Sequence, residues 1–169
     1  VLSLAIGGVA SARPWNDPTG KLGFDAPNGW VMQVRHSGAD GVIVLAGDAN
    51  DECYLMAITN TTTASANADA VRRATDPLSA EAWASTANSM NDMFPAHNAT
   101  VTAASVDTAD FWPMQHAQFS GAERPVVGAL TSRPGLDFIG FCWTYGGPDA
   151  SAIYQRVFAS MTNASEATW

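Results

Sequence analysis

The chain has 169 residues, of which 47% are hydrophobic and only 14% are charged. This is enough sequence for one domain with a single core, and the many apolar residues exclude an intrinsically disordered chain. The net charge is −8, with eight lysine and arginine residues in all. Nucleic acids and anionic membrane surfaces attract clustered positive charge, so neither is expected as a partner.

The first twelve residues, VLSLAIGGVASA, differ from the rest of the chain. They are apolar up to Ala10 apart from Ser3, and Ala10-Ser11-Ala12 has the small-x-small form of a signal-peptidase site. Residues 1–12 are therefore expected to be the remnant of a signal peptide that lacks its basic region and start Met; the alternative is a buried strand or helix of the fold. The expected location is the periplasm or the outside of the cell.

No segment predicts insertion into a membrane. The N-terminal apolar run is too short to span a bilayer, and no later run reaches about 18 apolar residues. Residues 13–20 are expected to form a loose leader and residues 163–169 a tail. One globular domain is expected over residues 21–162.

Alternating and continuous apolar runs predict strands in the first third of this domain. The segment KLGFDAPNGW at 21–30 indicates a short strand that ends in a Pro-Asn-Gly turn, and residues 30–37 alternate. Residues 41–47 and 52–59 are apolar almost throughout, as in strands covered on both faces. The turns between them are short and polar, which predicts antiparallel hairpins.

Helical patterns occupy the middle of the chain. A short helix is expected over residues 66–74, and Asp76-Pro77 has the form of an N-cap followed by proline at the first helical position. The helix that follows should carry one apolar stripe. Its members are Trp83, Ala87, Met90 and Phe94.

The period returns to two after residue 98. Strands are expected at 99–108, 114–121, 125–131 and 136–145, followed by an amphipathic helix that Asp149 caps. The predicted fold is an α+β sandwich, with a mostly antiparallel sheet of about six to eight strands flanked by helices.

The two cysteines, Cys53 and Cys142, are 89 residues apart and both lie inside apolar strand patterns. A zinc site requires closely spaced pairs, and a nucleophilic cysteine requires an open, electropositive setting. Two buried cysteines in an exported protein usually form a disulfide. The sequence therefore predicts a Cys53–Cys142 bond that places the fourth predicted strand beside the last one.

Motifs for catalysis, metal binding or cofactors are weak. Asp48, Asn50 and Glu52 have the spacing of a calcium loop, but the required glycine and glutamate are missing, so a polar hairpin tip is the interpretation. A Ser-His-Asp set around His116 or His97, with Asp107 or Asp110, stays open because such sets are recognised by geometry. No cofactor and no metal site are expected.

The best candidate for a binding surface is the segment DFWPM before the 114–121 strand. Trp112 is flanked there by Phe111 and a proline, and His116 follows in the strand. Aromatic anchors dominate binding surfaces, so Phe111, Trp112 and His116 are the candidate binding residues. The alternative is that Trp112 plugs the edge of the core.

Two stretches resemble the PsbP/Mog-type fold of exported bacterial proteins. Residues 24–30, FDAPNGW, resemble its opening strand and Pro-x-Gly-Trp turn, and residues 135–161 resemble its final strand, Gly-Pro-Asp turn and amphipathic helix. The resemblance spans about residues 21–162. It implies an antiparallel sheet flanked by helices that acts as a non-enzymatic accessory or assembly module. Plant members assist photosystem II, and a eukaryotic member binds a small nuclear GTPase.

The sequence thus predicts an exported, non-enzymatic binding or accessory module whose partner is a protein or a small ligand. Two alternatives stay open: a small hydrolase with a His-based site at His116 or His97, and a carrier of small apolar ligands. A polar cleft around a histidine would favour the hydrolase, an apolar cavity the carrier, and an exposed Trp112 patch over a filled core the binding module.

Overall fold

The computed structural model describes residues 12–90, 94–120 and 124–166, which form nine strands and three helices. The strands are β1 (Arg13–Asn16), β2 (Gly23–Ala26), β3 (Val31–Gly38), β4 (Gly41–Gly47), β5 (Asp51–Thr59), β6 (Thr100–Asp107), β7 (Met114–Ser120), β8 (Val126–Arg133) and β9 (Leu136–Thr144). The helices are α1 (Ala68–Arg73), α2 (Ala80–Asn88) and α3 (Ser151–Ala159). None of these helices is long and apolar enough to cross a membrane.

Seven strands form one sheet in the order β3-β4-β5-β9-β8-β7-β6, and every neighbouring pair is antiparallel. The sheet consists of two meanders, β3–β5 and β6–β9, that meet where β5 pairs with β9. The α+β fold with an antiparallel sheet of six to eight strands, predicted from the sequence, is confirmed. A separate two-stranded sheet of β1 and β2 was not predicted.

The predicted disulfide is present at the junction of the two meanders. Cys53 and Cys142 are direct partners in the register of β5 and β9, with their Cα atoms 4.1 Å apart. Both side chains are fully buried. The prediction that the two strands carrying the cysteines lie side by side is confirmed by this pairing.

The two faces of the sheet carry separate hydrophobic cores. On one face, α2 contributes Trp83 and Ala87 to a cluster that includes Phe119, Phe141 and Trp143 from the strands. On the other face, α3 and β2 cover a cluster built on β4, β5 and β9. Because strand side chains alternate between faces, the nearly continuous apolar runs of β4 and β9 serve both cores at once.

Helix α2 begins later than the sequence pattern predicts. Its N-cap is Ser79, whose hydroxyl accepts a hydrogen bond from the Ala82 amide at 3.2 Å, so the expected cap at Asp76 is wrong. The segment before it is tied to the sheet, because the Leu78 amide donates to the Gln115 side chain at 2.6 Å. The helix ends at Asn88, and Phe94 reaches the same core from the loop beyond it.

The chain ends of the described part pack on the domain. Strand β1, within the stretch expected to be a loose leader, pairs with β2. Near the other end, the Ala164 amide donates to the Gly20 carbonyl at 2.9 Å, and Glu166 forms an ion pair with Arg133. The signal-peptide prediction covers residues 1–12, of which 1–11 lie outside the described residues. The domain boundaries stay predictions.

Candidate functional site

One face of the sheet is only partly covered. Seven strands spaced about 4.8 Å apart span about 29 Å, whereas one helix with its side chains is about 10–12 Å wide. Helix α3 and the small sheet cover β4, β5 and β9, and β8 contributes only Ala129 to the buried cluster on this face. The result is an open cleft of about 820 Å³ between α3 and the β6–β8 part of the sheet.

The floor of this α3 cleft is made of polar side chains from two paired strands. Ser105 on β6 lies directly opposite His116 on β7, and Asp107 lies opposite Met114. Gln118 continues the row on β7, and all five residues line the cleft. A bulge in the β6–β7 register between Val101 and Ala103 sets which β6 residues point to this face.

The wall of the cleft is the polar side of α3. Ser151, Gln155 and Arg156 line it and are exposed, whereas Tyr154 and Phe158 on the same helix are buried against the sheet. The Tyr154 hydroxyl donates to the Asp51 carboxylate at 2.5 Å, and burial together with this bond raises the pKa of the tyrosine. This contact fixes the position of the first turns of α3 against the sheet.

The loop between β6 and β7, residues 108–113, carries Trp112 and closes one end of the cleft. We call it the Trp112 loop. The Trp112 ring lies against the Arg133 guanidinium, with 4.4 Å from the guanidinium carbon to the ring centroid. The Thr131 hydroxyl donates to the Pro113 carbonyl at 2.9 Å and holds the loop to β8. Trp112 is therefore half-buried at this end of the cleft, and its role as a binding residue stays a prediction.

Phe111 points away from the α3 cleft. Its ring is 56% exposed and packs edge-on against Trp112 at 5.1 Å between ring centroids. The Arg72 guanidinium of α1 lies over the Phe111 ring, with its carbon 4.0 Å from the ring centroid. Of the three predicted binding residues, the structure brings Trp112 and His116 together in the cleft, and Phe111 lies outside its lining.

Arg133 is the buried side chain on which the Trp112 ring packs. Its side chain is buried, donates to the Thr131 hydroxyl at 2.6 Å and pairs with Glu166 at 3.3 Å. Burial lowers the pKa of Arg133 to about 10, and the Glu166 carboxylate opposes that shift. The guanidinium is still charged at neutral pH, so it needs both partners and the aromatic face of Trp112.

His116 is the one histidine among the described residues that line the cleft. Its partial burial lowers the pKa of the imidazole, and the nearby negative charge of Asp107 partly offsets that effect. Within the described residues, no hydrogen bond joins His116 to Ser105 or to Asp107. The three side chains share a cleft without the linked nucleophile, base and orienting group of a triad.

The balance between burial and Asp107 can be measured. We expect a His116 pKa below 6.5, and a further decrease in Asp107→Asn because the carboxylate that favours the imidazolium is gone. An NMR pH titration of the ring protons gives both values. Asp25→Asn, an exposed change on β2, should leave the His116 pKa unaltered. A His116 pKa above 6.5 in the unmodified protein would contradict the dominance of burial.

The other histidines lie elsewhere. His36 is on the edge strand β3 and contacts Asp40 at 2.8 Å, and His97 is in the loop before β6. In the described part of the chain, no three His, Cys, Asp or Glu side chains are grouped so as to hold a metal ion. At the expected hairpin tip between β4 and β5, the Asp48 carboxylate accepts from the backbone amides of Asn50 and Asp51.

The arrangement of strands and helices has counterparts among solved structures. Cyanobacterial PsbP (CyanoP) from Synechocystis sp. PCC 6803, known from a solution structure, aligns with a TM-score of 0.59 and 15% identity, over 96% of this chain and 98% of that chain. The chain has a PsbP-like fold. A crystal structure of a protein from Bacteroides thetaiotaomicron VPI-5482 aligns with a TM-score of 0.49 and 15% identity, over 93% of this chain and 50% of that chain. No family model and no curated protein matches the sequence.

Within the PsbP-like fold, sequence reasoning missed the helix side of the cleft. Arg156 and Gln155 follow the polar face of the last predicted helix, but that face is normally taken to be solvated. Ser105 and Gln118 read as the outward residues of alternating strands. Only the position of α3 on one half of the sheet turns these four residues towards one another.

Proposed function

We propose that this protein is an exported, non-enzymatic binding module that holds its ligand or partner in the α3 cleft. The observation that carries the proposal is the uncovered half-sheet, where Trp112 and His116 line an open cleft over a filled core. Clefts of this size that combine apolar surface with a few convergent polar groups are typical binding sites. The PsbP-like fold supports an accessory role by analogy.

Export is supported by the disulfide and by the composition of the N-terminal segment. A buried disulfide is typical of oxidising compartments. The segment VLSLAIGGVASA has the apolar run and small-residue site of a signal peptide.

Fragment binding tests the module. Titration of ¹⁵N-labelled protein with a mixed fragment library should shift the amide resonances of residues 105–107, 114–118 and 151–156 above all others. His116→Ala and Gln155→Ala should weaken these shifts, whereas His36→Ala on the opposite edge of the sheet should not. Shifts confined to other surfaces would contradict the proposal that the α3 cleft is the site.

A His-based hydrolase is the second candidate, because Ser105, His116 and Asp107 line one cleft. It makes a separate prediction: His116→Ala would abolish turnover of chromogenic ester, phosphate or glycoside substrates, and His36→Ala would not. The proposed binding module predicts equal background rates for both variants and the parent. The carrier for apolar ligands requires an enclosed apolar cavity, whereas this cleft is open and partly polar.

A further inference from the structure

The α3 cleft carries opposite charges towards its two ends. Asp107 and Asp110 line it beside Trp112, and Arg156 lines it on the helix wall. The direction in which α3 runs shows where each charged group lies along the cleft. Tyr154, near the start of the helix, bonds to Asp51 on β5, and that residue pairs with the last residue of β9. The first turn of α3 therefore lies at the end of the cleft opposite the Trp112 loop.

Register places the charges at different levels along the strands. The Phe158 ring packs on Gly140, where an added Cβ atom would lie 2.5 Å from the ring. Gly140 pairs with Ala129, which pairs with His116, so Gly140 and His116 lie at the same height in the sheet. Arg156 precedes Phe158 by two residues, about 3 Å of helix rise. Asp107 lies opposite Met114, about 7 Å from His116 in the other direction. The cationic and anionic levels are thus separated by about 10 Å.

These three charged side chains are exposed, and Asp110 also borders a smaller pocket that Arg72 and Arg73 line. In the ranges that the structure describes, no ion pair engages Asp107, Asp110 or Arg156. The partial positive charge of the N-terminal turn of α3 is already matched by Asp149, whose carboxylate accepts from the Ser151 amide at 2.9 Å, so Arg156 is the cationic group on this wall. Between the two charged levels lie His116 and Ser105, which offer neutral donors and acceptors.

We propose that the cleft binds a zwitterion of the amino-acid type, with a guanidinium or ammonium group at Asp107 and Asp110 and a carboxylate at Arg156. The spacing suits a basic amino acid, whose side-chain cation and α-carboxylate lie at opposite ends of a flexible chain. The net charge of −8 favours the approach of the cationic end. This assignment names the ligand class of the proposed binding module and rests on it. The ligand can be a free basic amino acid or the C-terminal residue of a peptide.

NMR titration with four probes tests the ligand class. L-arginine and the tripeptide Gly-Gly-Arg carry both charges, agmatine lacks the carboxylate, and propionate lacks the cation. L-arginine or Gly-Gly-Arg should shift the amides of residues 105–107, 114–118 and 151–156 and bind about tenfold more tightly than agmatine or propionate, the effect of one charge-assisted hydrogen bond. Stronger binding of L-arginine identifies the free amino acid, and stronger binding of Gly-Gly-Arg the peptide terminus.

Charge variants assign each end. Arg156→Gln should weaken L-arginine or Gly-Gly-Arg about tenfold and leave agmatine unchanged, whereas Asp110→Asn should weaken agmatine as well. The matched controls are Arg35→Gln and Asp25→Asn, both exposed and outside the cleft. Equal binding of L-arginine and agmatine, or unchanged binding in Arg156→Gln, would overturn the proposal. If fragments occupy the cleft and neither zwitterion does, the ligand class is wrong and the binding module stands; if nothing binds there, both fail.

Discussion

Removal of the Cys53–Cys142 disulfide is expected to lower the free energy of unfolding by about 4–5 kcal/mol. The bond closes a loop with a sequence separation of 89, and a crosslink of that length removes much conformational entropy from the unfolded chain. The double variant Cys53→Ala/Cys142→Ala leaves two small apolar side chains in a fully buried place. Equilibrium unfolding in urea, compared with the parent, gives the difference.

Reduction separates the crosslink from the packing of the side chains. Dithiothreitol should lower the free energy of unfolding of the parent by nearly the same amount as the double substitution, because both remove the crosslink. In the reduced parent the two sulfur atoms still fill the buried site. The double variant should be indifferent to dithiothreitol. Thiol counting in denaturant provides the direct check: two reactive thiols in unreduced protein, or a parent midpoint that dithiothreitol does not move, would contradict the bond.

Replacement of Trp83 by alanine should cost about 3–5 kcal/mol of stability. Trp83 is 1% exposed and packs edge-on against Phe119 and Phe141, with ring centroids 6.2 and 6.3 Å apart. It is the largest side chain that α2 places on the sheet, so its loss leaves a cavity under the helix. Urea unfolding of Trp83→Ala against the parent measures the cost.

Two further variants keep this prediction falsifiable if Trp83→Ala does not fold. Trp83→Phe retains an aromatic ring in the same cluster and should lose clearly less stability than Trp83→Ala would. Ser85→Ala, an exposed change on the same helix, should alter stability by less than about 0.5 kcal/mol. A Trp83→Phe protein as stable as the parent would mean that the helix does not depend on this contact.

Local patterns were good predictors of the elements themselves. The alternation of β6 and β7, the apolar runs of β4, β5 and β9, and the amphipathic α3 all appear where the sequence places them. The end of α2 was not predictable, because Phe94 continues the helical stripe in sequence yet packs into the core from a loop. The cap lies at Ser79 in place of Asp76, and the residue before it, Leu78, is held by Gln115, a partner 37 residues away.

The candidate site was half predictable. Trp112 and His116 could be chosen from the sequence, since an aromatic next to proline between two strands is unusual for a core position. Their neighbours Ser105, Gln155 and Arg156 come from another strand and a helix, and no local signal relates them. Phe111 shares the sequence context of Trp112, but its ring turns to Arg72.

Residue patterns alone were enough to predict the α+β class, the positions of most strands and the pairing of the two cysteines. Each of these follows from side-chain periodicity over a few residues, or from having only two cysteines in apolar strands. The half of the sheet that α3 covers, and hence the existence of a cleft, followed from the packing of the whole domain. That outcome depends on the width of a seven-stranded sheet against one nine-residue helix, and on contacts such as Tyr154 to Asp51 that join residues far apart in the chain.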